Sequence, residues 1–250
     1  MVEVNTLYPK LEELSLNAWP ALETMVYDGW LLRFADGYTK RANSVCALYP
    51  STEELESKIA ACEAFYQGKG LPIIFKMTPF AEPHDLDELL EAKGYVAQAF
   101  TSMQAVSLDK VAAPSLHTAR FDEHCTEEWR DAYCTLSHQG EKAKETMTKT
   151  LSKIIPTACY ASLYLDNKVV ACGLGVVERE YIGLFDIVTD QAYRNQGLGE
   201  QLVLNLLQWG QEKGAKYSYL QVMKDNLPAL RLYEKIGYHE QYVHWYRIKE

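Results

Sequence analysis

The residues best suited to chemistry lie in "TDQAYRNQGLGEQLVLNLLQWGQEKG", residues 189 to 214, where Arg194, Gly197 and Gly199 form an R-x-x-G-x-G run at the mouth of a predicted helix. Glycine in a helix costs about 1 kcal/mol per residue against alanine, so bare backbone there needs a reason. A helix start presents up to four unpaired N–H groups and roughly half a positive charge. With no Cβ atoms beside them, those groups admit an anion at close range. A pyrophosphate is the natural guest, and Arg194 adds a charged donor. The run is neither of the common nucleotide loops. Glu200 stands where a P-loop has its lysine, and Leu202 stands where a dinucleotide fingerprint has its third glycine.

The elements that must position this loop follow from periodicity. Leu198, Leu202, Leu206 and Trp209 share one helical face, and Gly214 ends that helix. Three strands are predicted ahead of it in "ACYASLYLD", "KVVACGLGVVE" and "YIGLFDIVT", with turns at Asp166-Asn167 and at Glu178–Glu180. Further upstream a strand falls near Thr118–Phe121, followed by helices at about 126–137 and 141–154. Downstream come a strand in "KYSYLQVM", a helix in "LPALRLYEKIG" and a strand in "EQYVHWYRIK".

The first half reads similarly. "GWLLRFADGYTKRANSVCAL" predicts a strand pair turning near Asp36-Gly37. A helix capped by Ser51 or Thr52 runs to about Gln67, then come a strand in "LPIIFKM" and a short helix. "LDELLEAKGYV" (86 to 96) and "LRLYEKIGYH" (230 to 239) form an approximate repeat: a short helix, a glycine suited to the left-handed position past its end, and a tyrosine. Strand–helix alternation of this kind predicts an α+β fold, a mixed sheet with flanking helices. Residues 109 to 117 are the linker between the halves.

The 250 residues carry 25 Lys+Arg against 34 Asp+Glu, a formal charge of −9 with no basic run, which argues against nucleic acid as partner. The six cysteines are scattered without a C-x-x-C pair, so neither a zinc site nor a disulfide framework is expected, and no metal is called for. No secretory start and no apolar run of about 18 residues is present, so a cytoplasmic protein without membrane contact is expected. Nothing in the sequence signals an oligomeric state.

Taken together, "DIVTDQAYRNQGLGEQLVLNLL" and "YLQVMKDNLPALRLYEKIGYH" resemble the acetyl-CoA-binding core of the GNAT superfamily of N-acetyltransferases. Arg194, Gly197 and Gly199 match its loop, and Asn226, Leu232-Tyr233-Glu234 and Gly237-Tyr238 match its second block. The resemblance covers about residues 118 to 250. The run from Asp28-Gly29-Trp30 through Arg41-Ala42-Asn43-Ser44 resembles the N-terminal half of a GNAT-like subgroup. That implies tandem GNAT-like halves: 1–110 degenerate and lacking the loop, 111–117 linking, and 118–250 holding acetyl-CoA as co-substrate.

The resemblance further implies a set of site residues. Backbone of Asn195, Gln196, Gly197, Leu198, Gly199 and Glu200 would cradle the pyrophosphate, and Ile187, Val188 and Thr189 would pair with the pantetheine arm. Tyr233 would protonate the leaving thiolate; its ordinary pKa of about 10 suits that role. Asn226 either contacts the cofactor or caps the last helix. Asp186, the only acid on its strand, either serves as general base or satisfies a bulge. Arg41 and Asn43 either sit on an exposed edge or reach substrate. The implied reaction is direct acetyl transfer to an amine of a small molecule or peptide; the competing reading is an acetyl-CoA-binding module without turnover.

Overall fold

The two repeated helix–glycine–tyrosine segments feed the two central strands of one sheet. The computed structural model describes residues 7–249. The chain begins with helix α1 (Leu7–Ala18) and strands β1 (Glu23–Tyr27), β2 (Trp30–Phe34) and β3 (Val45–Ala47). Helix α2 (Leu55–Gly68), β4 (Ile74–Met77), α3 (Leu86–Ala92) and β5 (Val96–Ser107) follow. Then come β6 (Ala119–Asp122), α4 (Glu127–Ser137), α5 (Glu141–Leu151), β7 (Thr157–Leu165), β8 (Lys168–Glu178) and β9 (Tyr181–Thr189). The chain closes with α6 (Leu198–Glu212), β10 (Tyr217–Met223), α7 (Leu227–Ile236) and β11 (His239–Ile248).

The strands form one mixed sheet in the order β1-β2-β3-β4-β11-β5-β10-β9-β8-β7-β6. β5 and β11, far apart in the sequence, sit side by side at the centre of this sheet. β11 lies against β4, β5 lies against β10, and the two pair with each other, all antiparallel. The parallel pairs β3–β4 and β9–β10 sit at matching distances either side. Gly94 and Gly237, at φ +86° and +108°, turn the chain out of α3 and α7 into these central strands. The tyrosine after each glycine, Tyr95 or Tyr238, is buried.

Helix α6 covers one face of the second half. Leu198, Leu202, Leu206 and Trp209 are all buried as the spacing predicted, each worth about 2 kcal/mol relative to exposure. The opposite face is covered by α4, α5 and α1, the last a helix that the sequence reading did not assign. Helix α1 is fixed by Leu11, Leu14 and Ala18 and by a buried ion pair from Glu12 to Lys76 of β4 at 2.5 Å. The Tyr242 hydroxyl of β11 also donates to Glu12, at 2.7 Å. Helix α2 starts differently from expectation. Glu54, not Ser51 or Thr52, is its cap, accepting from the N–H groups of Glu56 and Ser57. No helix among the described residues is long and apolar enough to cross a membrane.

Candidate active site

Gly197 ends the loop before α6 at φ +77°, a conformation that is nearly free for glycine and strained for most other residues. It provides no side-chain cap, so the first N–H groups of α6 are left to an outside acceptor. Gly199 has a different reason for lacking a side chain. A Cβ there would lie 3.1 Å from Thr189 Oγ1 and 3.4 Å from Leu232 Cδ1, wedging apart the end of β9, the start of α6, and α7. Arg194 ties the loop back to the strand by donating from Nε to the Thr189 carbonyl at 3.3 Å. Glu200 and Lys235 join α6 to α7 through a 2.5 Å ion pair.

These elements enclose a cavity of about 580 Å³. Ile187, Val188, Thr189, Arg194, Asn195, Gly197, Leu198, Gly199, Glu200, Asn226 and Tyr233 all line it. Gln196 does not; its amide donates to the Ala192 carbonyl at 3.5 Å. Asn226 caps α7 through Oδ1 and the Ala229 N–H at 3.3 Å, and it also borders the cavity. Tyr233 lies on α7 with its ring edge-on to Tyr238, and burial pushes its phenol up to about 12. An uncapped helix start, a missing Cβ and a nearby guanidinium fit a pyrophosphate-bearing donor.

On the sheet side, β9 and β10 pair in parallel only from Tyr181↔Tyr217 to Leu184↔Leu220. Both strands continue, to Thr189 and Met223, so they part beyond that point. The parting coincides with a bulge, where Cys172↔Val188 is followed by Leu174↔Phe185. Gly173 therefore faces two residues, Asp186 and Ile187, and Asp186 takes φ +52°. The extra residue changes which face each side chain meets. Ile182, Leu184 and Ile187 belong to the core under α6, whereas Phe185 and Val188 belong to the core under α1 and α4. Strict alternation would have sent Asp186 toward α6; instead its environment is Tyr133 of α4 and Arg41.

The Asp186 carboxylate is held up to about 6, mainly by burial and against the pull of the Arg41 guanidinium and the Tyr133 phenol. Its Oδ2 is buried without a hydrogen-bond partner among the described residues. Such a carboxylate is half-ionised near pH 6 and mostly ionised at neutrality, so it is available to accept a proton there. Sequence reasoning named the residue, but the bulge that redirects it has no local signature in "GLFDIVT".

Arg41 and Asn43 separate in role. Asn43 is buried, and its carboxamide is fully used within its own loop. Oδ1 accepts from the Ala35 and Gly37 N–H groups, and Nδ2 donates to the Ala35 and Thr39 carbonyls. The expectation that Asn43 reaches substrate is therefore corrected: it frames the 35–43 loop. Arg41 reaches the same face as Asp186, lying over the rings of Trp19 and Phe185 at 4.8 Å and 5.5 Å.

The first half answers its own helix start internally. The Asp28 carboxylate accepts from the N–H groups of Thr52 and Glu53, from the hydroxyls of Ser51 and Thr52, and from Lys58 just inside α2. These donors hold Asp28 far below the usual carboxylate range, that of the Thr52 hydroxyl foremost. Asp28 and Glu54 thus occupy the anion position that α6 leaves open. Calorimetric titration with acetyl-CoA is expected to give one equivalent per chain; two would contradict this contrast.

A cavity at an open helix start, beside a parted strand pair with a buried carboxylate on its other face, is an arrangement compatible with the GNAT type of N-acetyltransferase. The comparisons with known proteins agree. A family model described as "Probable histone acetyltransferase Rv0428c C-terminal" matches residues 9–248, and the chain belongs to that family. The "Uncharacterized N-acetyltransferase YobR" of Bacillus subtilis (strain 168) is 32% identical over 247 residues, covering 96% of this chain and 98% of its own. The [Ribosomal protein bS18]-alanine N-acetyltransferase of Escherichia coli (strain K12) is 32% identical over 75 residues, 30% of this chain and 51% of its own. Among solved structures, a GCN5-related N-acetyltransferase from Kribbella flavida shares the fold. Its TM-score is 0.73 at 13% identity, covering 100% of this chain and 96% of that one. The chain is an N-acetyltransferase, and enzymes of this type use acetyl-CoA as co-substrate.

Proposed function

We propose that this protein transfers acetyl from acetyl-CoA to the amine of a small molecule or peptide by direct attack in a ternary complex. The observation that carries the reading is the parted β9–β10 pair, beside which lie a cavity at the start of α6 and, on the opposite face, a buried carboxylate. When bound, acetyl-CoA supplies the acetyl group as an activated thioester. The N–H groups of residues 195–200 hold its pyrophosphate. The β9 segment Ile187–Thr189 aligns its arm and polarises the thioester carbonyl through an N–H, a donor type worth about 3 kcal/mol in acyl transfer. Asp186 accepts the amine proton as the N–C bond forms, and Tyr233 protonates the departing sulfur as the C–S bond breaks.

Residues 1–110 are read as a GNAT-like half without a donor loop, linked through 111–117 to the catalytic half, 118–250. The mirrored strand order and the self-occupied start of α2 support this division. The six cysteines are all unpaired, which fits a reducing cytoplasm. The net charge of −9 favours an amine over nucleic acid as partner.

The test is thiol release from acetyl-CoA across a panel of amines. Tyr233→Phe should lower kcat by about 10²-fold while leaving acetyl-CoA affinity nearly intact. Full activity in that variant would remove Tyr233 as the acid.

A further inference from the structure

Arg41 is half-buried, yet its guanidinium makes no hydrogen bond or ion pair among the described residues. Its position is nonetheless fixed. The plane lies over Trp19 and Phe185, whose rings stack on each other at 6.2 Å. The Arg41 carbonyl accepts from Arg33 Nη1 at 2.7 Å, and Arg33 also donates to the Trp19 carbonyl at 2.5 Å. Asn43 locks the loop two residues on. The side chain is therefore held in place without its donors being used.

Asp186 is the complementary case. It follows Phe185 on the bulge, and its Oδ2 is buried and unpartnered. The two charges interact, yet no ion pair within 4.0 Å joins them. Leaving the guanidinium and one oxygen of the carboxylate without partners in a partly dry site is costly, and a ligand bearing both opposite charges would satisfy each. The planar fork of arginine matches a carboxylate in bidentate fashion. A further cavity of about 460 Å³, between the 36–38 turn and the α4–α5 corner, is lined by Tyr38, whose ring stacks on Trp19. Tyr38 thus borders both that cavity and the ring stack beneath Arg41, on the face opposite α6.

We infer that the acetyl acceptor is a small amino acid-type zwitterion, its carboxylate held by Arg41 and its amine presented to Asp186. This rests on the transfer reading above and names its substrate class. It differs from a peptide amine in requiring a carboxylate a few atoms from the nucleophilic nitrogen.

The experiment is calorimetric titration of the full chain, with free coenzyme A present, against standard amino acids and their carboxamide and decarboxylated counterparts. The acid form of a bound amino acid should bind about 10- to 100-fold more tightly than its amide or amine, the range for a hydrogen-bonded charge. Arg41→Met should remove that preference, and Arg41→Lys should keep part of it, with thermal melts confirming that each variant folds. Equal binding of the three forms, no binding by any acid, or a preference that survives in Arg41→Met would overturn the assignment. Thiol release is read in parallel. Acid-selective binding without thiol release would leave this site standing and remove the transfer reading. Thiol release indifferent to the carboxylate would do the reverse.

Discussion

Gly197→Asp is expected to abolish measurable acetyl-CoA binding while leaving the fold intact. The backbone at φ +77° is one that aspartate tolerates better than most residues, at a cost of roughly 1 kcal/mol. An added Cβ meets no heavy atom within 4 Å, so the branch point itself does not clash. A carboxylate at a helix start is itself a good cap, worth about 1 kcal/mol, so strain and capping nearly cancel. Binding has no such compensation. The new charge would satisfy the N–H groups meant for the pyrophosphate, as Asp28 and Glu54 do at α2, and would repel the phosphates. Two like charges about 5 Å apart near a surface cost about 3 kcal/mol, or roughly 100-fold in affinity, before the lost hydrogen bonds are counted. Calorimetry with acetyl-CoA, alongside a thermal melt, measures both halves of the expectation. Unchanged affinity would sink the cradle assignment.

Asp186→Asn should separate activity from stability. As the proposed base, Asp186 contributes about 10²- to 10⁴-fold, and the amide removes that contribution. In the wild-type enzyme kcat/KM should fall as pH drops through about 6, where the carboxylate becomes protonated. Stability runs the other way. The folded carboxyl is held at about 6 against an ordinary 3.8, so above pH 6 the native state carries an ionised group it disfavours. Below pH 4 the group is protonated in both states and the penalty vanishes. With allowance for its partial exposure, the penalty at pH 8 is about 1–3 kcal/mol. Asp186→Asn should therefore be more stable than wild type at pH 8, with the advantage shrinking between pH 6 and pH 4. Urea denaturation at the two pH values measures it. A fully active variant, or one destabilised at pH 8, would contradict the placement of Asp186. Stability given up at a reacting group is common in enzymes.

The loop and helix start before α6 were legible in the sequence because they are written in local backbone chemistry. Glycines at 197 and 199, the apolar spacing of α6 and the Asn226–Pro228 start of α7 are each properties of a few consecutive residues. The cluster around Arg41 and Asp186 was not, because it is assembled from distant segments. Arg41, Trp19 and Phe185 meet only when the 35–43 loop, the end of α1 and the β9 bulge are brought together. The central pairing of β5 and β11 is likewise invisible locally, since pairing partners lie more than 100 residues apart. Asn43 was misread for a related reason. A polar residue between apolar flanks signals a demand for hydrogen bonds, and only the folded loop shows that the demand comes from its own backbone. The cap of α2 went to Glu54 because Ser51 and Thr52 were already engaged by Asp28, more than 20 residues upstream.

The measurement that bears most directly on the central claim is the initial rate of amine-dependent thiol release from acetyl-CoA, compared between wild type and Gly197→Asp. The account predicts release that requires an added amine, saturates in acetyl-CoA, and falls by at least about 100-fold in the variant. Wild-type protein that binds acetyl-CoA yet releases no thiol with any amine would contradict it, as would a Gly197→Asp variant that turns over at the wild-type rate.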